Sequence, residues 1–499
     1  MIDKPTIESQ EPEKPNIGNR VSMWIESIFA RFRSKDFQKD IWHTVISIII
    51  ALGVAAIIMV ATGYDPADAF SALGLGAILN FDQVLWRSTP LMLAGLSVAL
   101  AFKCGLFNIG AEGQLYIGSL AATAVGYMIA LPIVVHQLAC IIVGVAAGLL
   151  YGLVPGILRA YRGAHEVVTT MMLSYAAVYF TQWMVSQGPM HNPGDWRSIS
   201  PVIFDTAALP KLFGSSFLSA GFLIAVLCVF AVDFFINKTV MGYEMRAVGS
   251  NEDAARTAGI DAKKSMALAL GISGALAGLA GTVEIQGYYN RFYDQWSAGL
   301  GFDGITVAVL GRNNPWGVFG GAIFFGALKA GGSFMQTNAG VPSEMVQVIQ
   351  GLVVLFVAAP RLIDWLSKHG VQYANWIKRE PKAGTPSLIA FGYSIFGALM
   401  GIIVVSPYVA TNFSLLLLGF FISMGSLVVM VFHFQRDERR TSSTLGISLV
   451  WLIMLLAGFA FSAADILVTS LIMAGIGFFL WILLKRTQSN ISVMEEGGI

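Results

Sequence analysis

Charge is what this chain has least of. Only 12% of its 499 residues are Asp, Glu, Lys or Arg, against about 25% in an ordinary soluble domain. A soluble chain of this length needs a charged skin to stay dispersed, and this one has too little charge to build it. The charges also nearly cancel, 31 basic against 30 acidic, which removes the basic footprint of a nucleic-acid binder. Cysteine is scarce as well. Cys104, Cys140 and Cys228 sit at apolar runs or their ends and read as packing residues, not as a disulfide or metal set. The six histidines are scattered singly, so no metal centre is expected. No G-x-x-x-x-G-K-[ST] loop occurs, so ATP hydrolysis by the P-loop route is not expected of this chain. The run Gly299-Leu300-Gly301-Phe302-Asp303-Gly304 matches G-x-G-x-x-G but follows an apolar run and an aromatic loop instead of a strand, and is set aside as a dinucleotide site.

What the chain does have is apolar sequence in lengths that suit a bilayer, which takes about 20 residues of helix to cross. Runs over Trp42–Gly63, Thr89–Lys103, Ile109–Leu131, Pro132–Gly156, Val167–Val185, Phe217–Ile236, Ser265–Ile285, Phe302–Gly311, Trp316–Phe334 and Val341–Ala359 make about ten spans. Four more follow a polar break, over Ser387–Ser406, Phe413–Phe434, Leu445–Phe461 and Asp465–Leu484. The fold class expected is an all-α polytopic membrane protein of about fourteen spans. Lys and Arg in short loops mark the cytoplasmic side. Counting Phe302–Gly311 as a crossing puts the basic loops, both termini included, on the inside. The organisation expected is a disordered cytoplasmic arm over residues 1–40, a core over 41–365, a cytoplasmic linker over 366–385, a four-span extension over 386–485 and a cytoplasmic tail over 486–499. The arm has no apolar core of the signal-peptide kind.

Four stretches carry chemistry. Ala101–Gln114 interrupts an apolar run with Gly105, Gly110 and Gly113, and with Asn108, Glu112 and Gln114. Asn108 can cap the following helix, whose first turn then holds Glu112. The segment reads either as an inner-face loop or as a broken helix lining a translocation path, since a carboxylate at membrane depth is costly unless paired or hydrated. Gly311-Arg312-Asn313-Asn314-Pro315 echoes it, again at the end of a short span. Paired interruptions of this kind point to a central site in transporters, and Glu112 and Arg312 are expected to approach each other. In Asn237–Lys264, Ser250 with Asp253 resembles a capping box, Glu252 and Arg256 are i,i+4 partners, and Gly259 stops the helix. A two-turn helix presenting Ala254, Ala255 and Ala258 and ending before Ile260 suits a cytosolic docking knob or a solvated linker. Finally, Tyr288, Tyr289, Phe292, Tyr293 and Trp296 form an external loop, either an interfacial belt or a stacking surface. Gly144, Gly148, Gly152 and Gly156 repeat every fourth residue, as do Gly274/Gly278 and Gly317/Gly321, and predict close helix packing.

GLFNIGAEGQLYIGSLAA, MRAVGSNEDAARTAGI with ISGALAGLAG, and FDGITVAVLGRNNPWG together resemble the permease subunits of ABC importers for branched-chain amino acids, simple sugars and nucleosides. GLFNIGAEGQ with HEVVTTMMLSY is most similar to the nucleoside permeases of bacteria. The resemblance covers roughly residues 44–365. It implies ATP and Mg on a separate cytosolic ATPase and no cofactor on this chain. It also implies a second permease subunit, an extracytoplasmic substrate-binding protein, and a loop helix (Ser250, Glu252, Asp253, Ala254, Ala255, Arg256, Gly259, Ile260) that docks the ATPase. Family permeases usually end near Arg361–Trp365, so the four further spans depart from the pattern. Asn108, Glu112, Gln114, Arg312, Asn313 and Asn314 are the path residues expected, and low intramembrane charge suits a neutral cargo. Rival readings are an ion-coupled secondary transporter using Glu112, Glu166 or Glu284, and a non-transporting membrane scaffold.

Overall fold

The computed structural model describes residues 35–214 and 217–358, with side chains from Trp42 onward apart from Ala61. The four spans expected over residues 386–485, with the linker and the C-terminal tail, lie outside the described residues. Thirteen α-helices follow one another there: α1 (Lys35–Ala61), α2 (Pro66–Leu79), α3 (Phe81–Lys103), α4 (Ala111–Met128), α5 (Ile133–Arg162), α6 (Glu166–Ser186), α7 (Gly221–Lys238), α8 (Val240–Ser250), α9 (Glu252–Thr257), α10 (Ala262–Glu284), α11 (Leu300–Leu310), α12 (Pro315–Ala339) and α13 (Glu344–Ala358). A π-helical turn, Ile285–Tyr289, prolongs α10. No named strand occurs among the described residues, which hold two isolated bridges, Ile199 with Tyr293 and Lys211 with Ser219.

Two compact units divide these residues. Residues 35–56 and 65–358 belong to one, and Ile57–Tyr64 to the other. In the smaller piece α1 ends where Gly63 takes φ +85° and the Tyr64 N–H donates back to the Met59 carbonyl.

Local chemistry sets the helix ends. Asp65 precedes Pro66 at the first helical position and accepts the Ala67 N–H at 2.8 Å, the arrangement that satisfies an orphan donor where proline has none to lose. Asp261 does the same for α10 by accepting from Lys264 N–H at 3.0 Å. α5 stops at Gly163 in the left-handed region.

Among the described residues, six helices are long and apolar enough to cross a membrane: Trp42–Val60 within α1, then α3, α5, α7, α10 with its π-turn, and α12. α4 and α6 were expected as spans and are helices of 18 and 21 residues, but more polar; α11 and α13 are shorter. The count of ten core spans is therefore not reached on length and composition alone. α2, which no apolar run announced, packs on α12.

Burial separates centre from rim. Of the apolar windows of α3 and α10, 83% is buried, against 22% for α5. The rim of α5 and α7 presents Ile142, Leu150 and Leu227 outward, which is stable where the surrounding solvent is lipid. The fourfold glycine repeat of α5 seats on the Gly274/Gly278 repeat of α10: a Cβ on Gly148 would stand 2.8 Å from the Gly278 Cα. Backbones approach this closely only without side chains between them. α10 is the post around which α3, α4 and α5 assemble.

Candidate functional site

The break between α3 and α4 places polar groups in the middle of this bundle. At Gly105 (φ +74°) the chain reverses against the Gly249 backbone of α8, then re-enters the interior. Asn108, with no exposed surface, donates its amide to Gln114 Oε1 and to Ser273 Oγ, each at 2.8 Å. Gln114 Nε2 returns a bond to Asn108 Oδ1 at 3.3 Å, and Ser273 Oγ donates to the Ser97 carbonyl at 2.7 Å. Ser273 lies midway along α10, so this network ties three helices and the break at half height. Asn108 does not cap α4, as the sequence suggested. Gly110 occupies that position with no side-chain cap, and the Asn108 Oδ1 that a cap would use accepts from Gln114 Nε2 instead.

Glu112, 4% exposed, reaches across to α11. Its Oε1 accepts the Gly299 N–H at 3.1 Å and its Oε2 the Gly301 N–H at 2.5 Å. These amides are the unpaired donors at the start of α11, where the helix dipole favours negative charge. The carboxylate also belongs to the first turn of α4, so two helix N-termini converge on one anion. Gly301 is obligatory here, since any Cβ would meet the Glu112 backbone.

The expected approach of Glu112 and Arg312 is corrected by this geometry. Glu112 holds the first turn of α11, whereas Arg312 follows its last residue, about 16 Å farther along by helical rise. Arg312 and Asn313 form a tight turn at φ +51° and +55°. Asn314 caps α12 by accepting the Trp316 N–H at 3.1 Å. All five non-glycine residues at positive φ among the described residues, Asn290, Gln295, Ala298, Arg312 and Asn313, lie before or after α11. Asparagine tolerates this region, but at Gln295, Ala298 and Arg312 it is strained and persists only where the surroundings hold it.

The loop helix forms, with two changes: its cap moves, and Ala255 leaves the presented face. Its cap is Asn251, whose Oδ1 accepts the Ala254 N–H at 3.0 Å; Ser250 instead finishes α8 by donating to the Arg246 carbonyl. Asn251 has the extended backbone that a cap needs. Glu252 and Arg256 pair at 2.5 Å, and Gly259 at φ +83° closes the helix with the Ile260 N–H bonding back to the Ala255 carbonyl. Ala255 is turned inward, 3% exposed. Asp253, Ala254, Arg256, Thr257 and Ala258 form the outward side.

The aromatic loop forms one continuous run of ring contacts. Phe292 and Trp296 are buried against Tyr116, and Tyr289 lies edge-on to Trp296 and Tyr293. Tyr288 stands edge-on to Tyr289 and links this group to Trp86 and Phe217, over the Trp86–Glu284 hydrogen bond of 2.9 Å. Nearby, burial lowers the Lys211 ammonium from its ordinary range, and hydrogen bonds from Arg197 bring the exposed Asp195 carboxyl down to about 2. Glu166 stands 3.2 Å from Arg159.

One pair was missed from sequence. Lys329, inside an apolar run of α12, stands 2.6 Å from Asp303 of α11. A lysine in the middle of a span was the available signal. Among the described residues no group of three or more His, Cys, Asp or Glu could hold a metal ion.

A helical bundle with an apolar rim, a polar break between α3 and α4 and a capped short helix in a loop has the architecture of a multi-pass membrane protein. The particular family follows from comparison. The family described as branched-chain amino acid transport system / permease component matches residues 80–358, and the chain belongs to it. It is a permease subunit of the ABC transporter class. It is similar to the guanosine ABC transporter permease NupP of Bacillus subtilis (38% identity over 64% of this chain and 94% of the relative). It is also similar to the nucleoside permease NupB of Lactococcus lactis (36%, 64% and 91%) and to the glucose permease TsgB13 of Haloferax volcanii (36%, 63% and 86%). No solved structure matches.

Proposed function

We propose that this chain is the membrane permease of an ATP-driven importer that carries nucleosides across the cell membrane by alternating access. The similarity to permeases named for guanosine and nucleosides supports the cargo. ATP and Mg reside on two cytosolic ATPase subunits, a paralogous second permease completes the core, and an extracytoplasmic binding protein delivers the substrate. Both termini are cytoplasmic. α9 docks the ATPase through its outward side.

The observation that carries the coupling is the contact behind α9. Gly249, at the end of α8, lies directly on the backbone of Lys103, Cys104 and Gly105. The break beginning there carries Asn108 and Glu112, and Glu112 caps α11. Closure of the ATPase pair therefore pushes α8, the break and α11 as one train, and the strained turns on both sides of α11 give it somewhere to move. Uptake of labelled guanosine in cells lacking this chain tests the reading: it falls and is restored by the gene, or, if unchanged for every nucleoside, the cargo is wrong. The glucose permease relative favours a sugar as the second reading. The same uptake assay with labelled glucose separates the two.

A further inference from the structure

Lys329 stands about 21 Å from the Pro315 end of α12 and about 15 Å from the Ala339 end, so neither end is near enough for its ammonium to reach an aqueous surface easily. Its partner Asp303 is on the short helix α11, whose first turn is held by Glu112. In the single chain the two side chains remain 26% and 28% exposed, so the pair faces out of the bundle at mid-height. A half-open ion pair against lipid tails is costly, and charged groups at this depth mark cargo pathways.

Two polar side chains lie near the same level. Thr306, one turn along from Asp303 and half-buried, donates to the Asp303 carbonyl at 2.6 Å. Val346 of α13 packs on Gly332 of α12. α12 and α13 form an antiparallel hairpin, so one turn along each from that contact brings Gln350 level with Lys329. Gln350 is 8% exposed and its Nε2 has no hydrogen-bond partner.

We propose that Asp303 and Lys329 line the translocation path at mid-membrane and bind the hydroxyl groups of a neutral cargo, the carboxylate accepting and the ammonium donating. Together they supply strong donors and acceptors with no net charge, which suits a solute such as a nucleoside whose ribose carries adjacent hydroxyls. This deepens the nucleoside reading and rests on it for the cargo.

The test uses the assembled importer in cells, with Cys104, Cys140 and Cys228 replaced by serine in a background selected for retained uptake. Thr306→Cys reports water at the pair, and Ile142→Cys, on the apolar rim of α5, is the control. A charged methanethiosulfonate reagent needs an ionised thiol, so Thr306→Cys is expected to react more than about tenfold faster than the control. Saturating guanosine is expected to slow that reaction. Equal, slow labelling of both positions overturns the proposal, because the pair then faces lipid or a subunit seam. Fast labelling that no nucleoside or sugar slows also overturns it. Fast labelling slowed by glucose alone upholds the path and removes the nucleoside reading. Asp303→Asn and Lys329→Gln are each expected to raise the uptake KM about tenfold while the ATPase still co-purifies; an unchanged KM in both contradicts cargo contact.

Discussion

Gly301 donates its backbone N–H to the Glu112 carboxylate at 2.5 Å, so the start of α11 is capped by a side chain from α4. A capping carboxylate normally comes from the helix's own sequence. Supplied from another helix, it fastens the two together, and it answers how a carboxylate survives 4% exposed: it is compensated by amides and helix dipoles instead of a guanidinium.

Replacing Glu112 by Gln keeps the shape but sets an amide donor or a weaker acceptor against the Gly299 and Gly301 N–H groups. The expected loss is about 2 kcal/mol, as for a hydrogen bond to a charged group. It reads as a lower unfolding temperature of the solubilised chain and reduced uptake. Glu112→Asp, which is shorter and still anionic, is expected to fall between.

Gly301→Ala puts a methyl group on the Glu112 backbone. Overpacking of this kind costs about 1–3 kcal/mol, and α11 must shift to relieve it. Membrane insertion is expected to be normal and uptake strongly reduced; unaltered uptake would show that the position of α11 does not matter.

Asn108→Leu removes the bonds to both Gln114 and Ser273 and leaves the buried Gln114 amide unpaired, at a cost of about 1–3 kcal/mol. Ser273→Ala loses less, because Asn108 and Gln114 remain partners. Ranking the two variants by thermal stability checks the network.

The loop helix separates a backbone effect from a surface effect. Gly259 has open space around its Cα but φ +83°, so Gly259→Asn is expected to retain ATPase co-purification and Gly259→Val to lose it, asparagine tolerating the left-handed region where β-branched residues do not. Ala254→Arg, on the outward side, is expected to weaken docking without destabilising the chain. Ala255→Arg, turned inward, is expected to destabilise it.

Local features were readable from the residues. The Glu252–Arg256 pair and the Gly259 stop depend on spacings of a few residues, and the glycine repeats on α5 and α10 carry their own period. The Ser250 cap slipped by one residue, since Ser250 and Asn251 are both good caps and only the backbone distinguishes them. The partner of Glu112 was not readable. Its donors are main-chain amides 187 and 189 residues away, and an amide leaves no mark in composition. Arg312 was the visible opposite charge, yet α11 stands between them. Lys329 was visible as a charge inside an apolar run, although its partner required the fold.

The most direct measurement is ATP-driven uptake of labelled guanosine into vesicles holding this chain with its ATPase, second permease and binding protein. Uptake is expected to require ATP and this chain, to be competed by other nucleosides, and to be lost in Gly259→Val. Guanosine uptake driven by an ion gradient without the ATPase, or no nucleoside uptake from a complex that imports glucose, would contradict the proposed function.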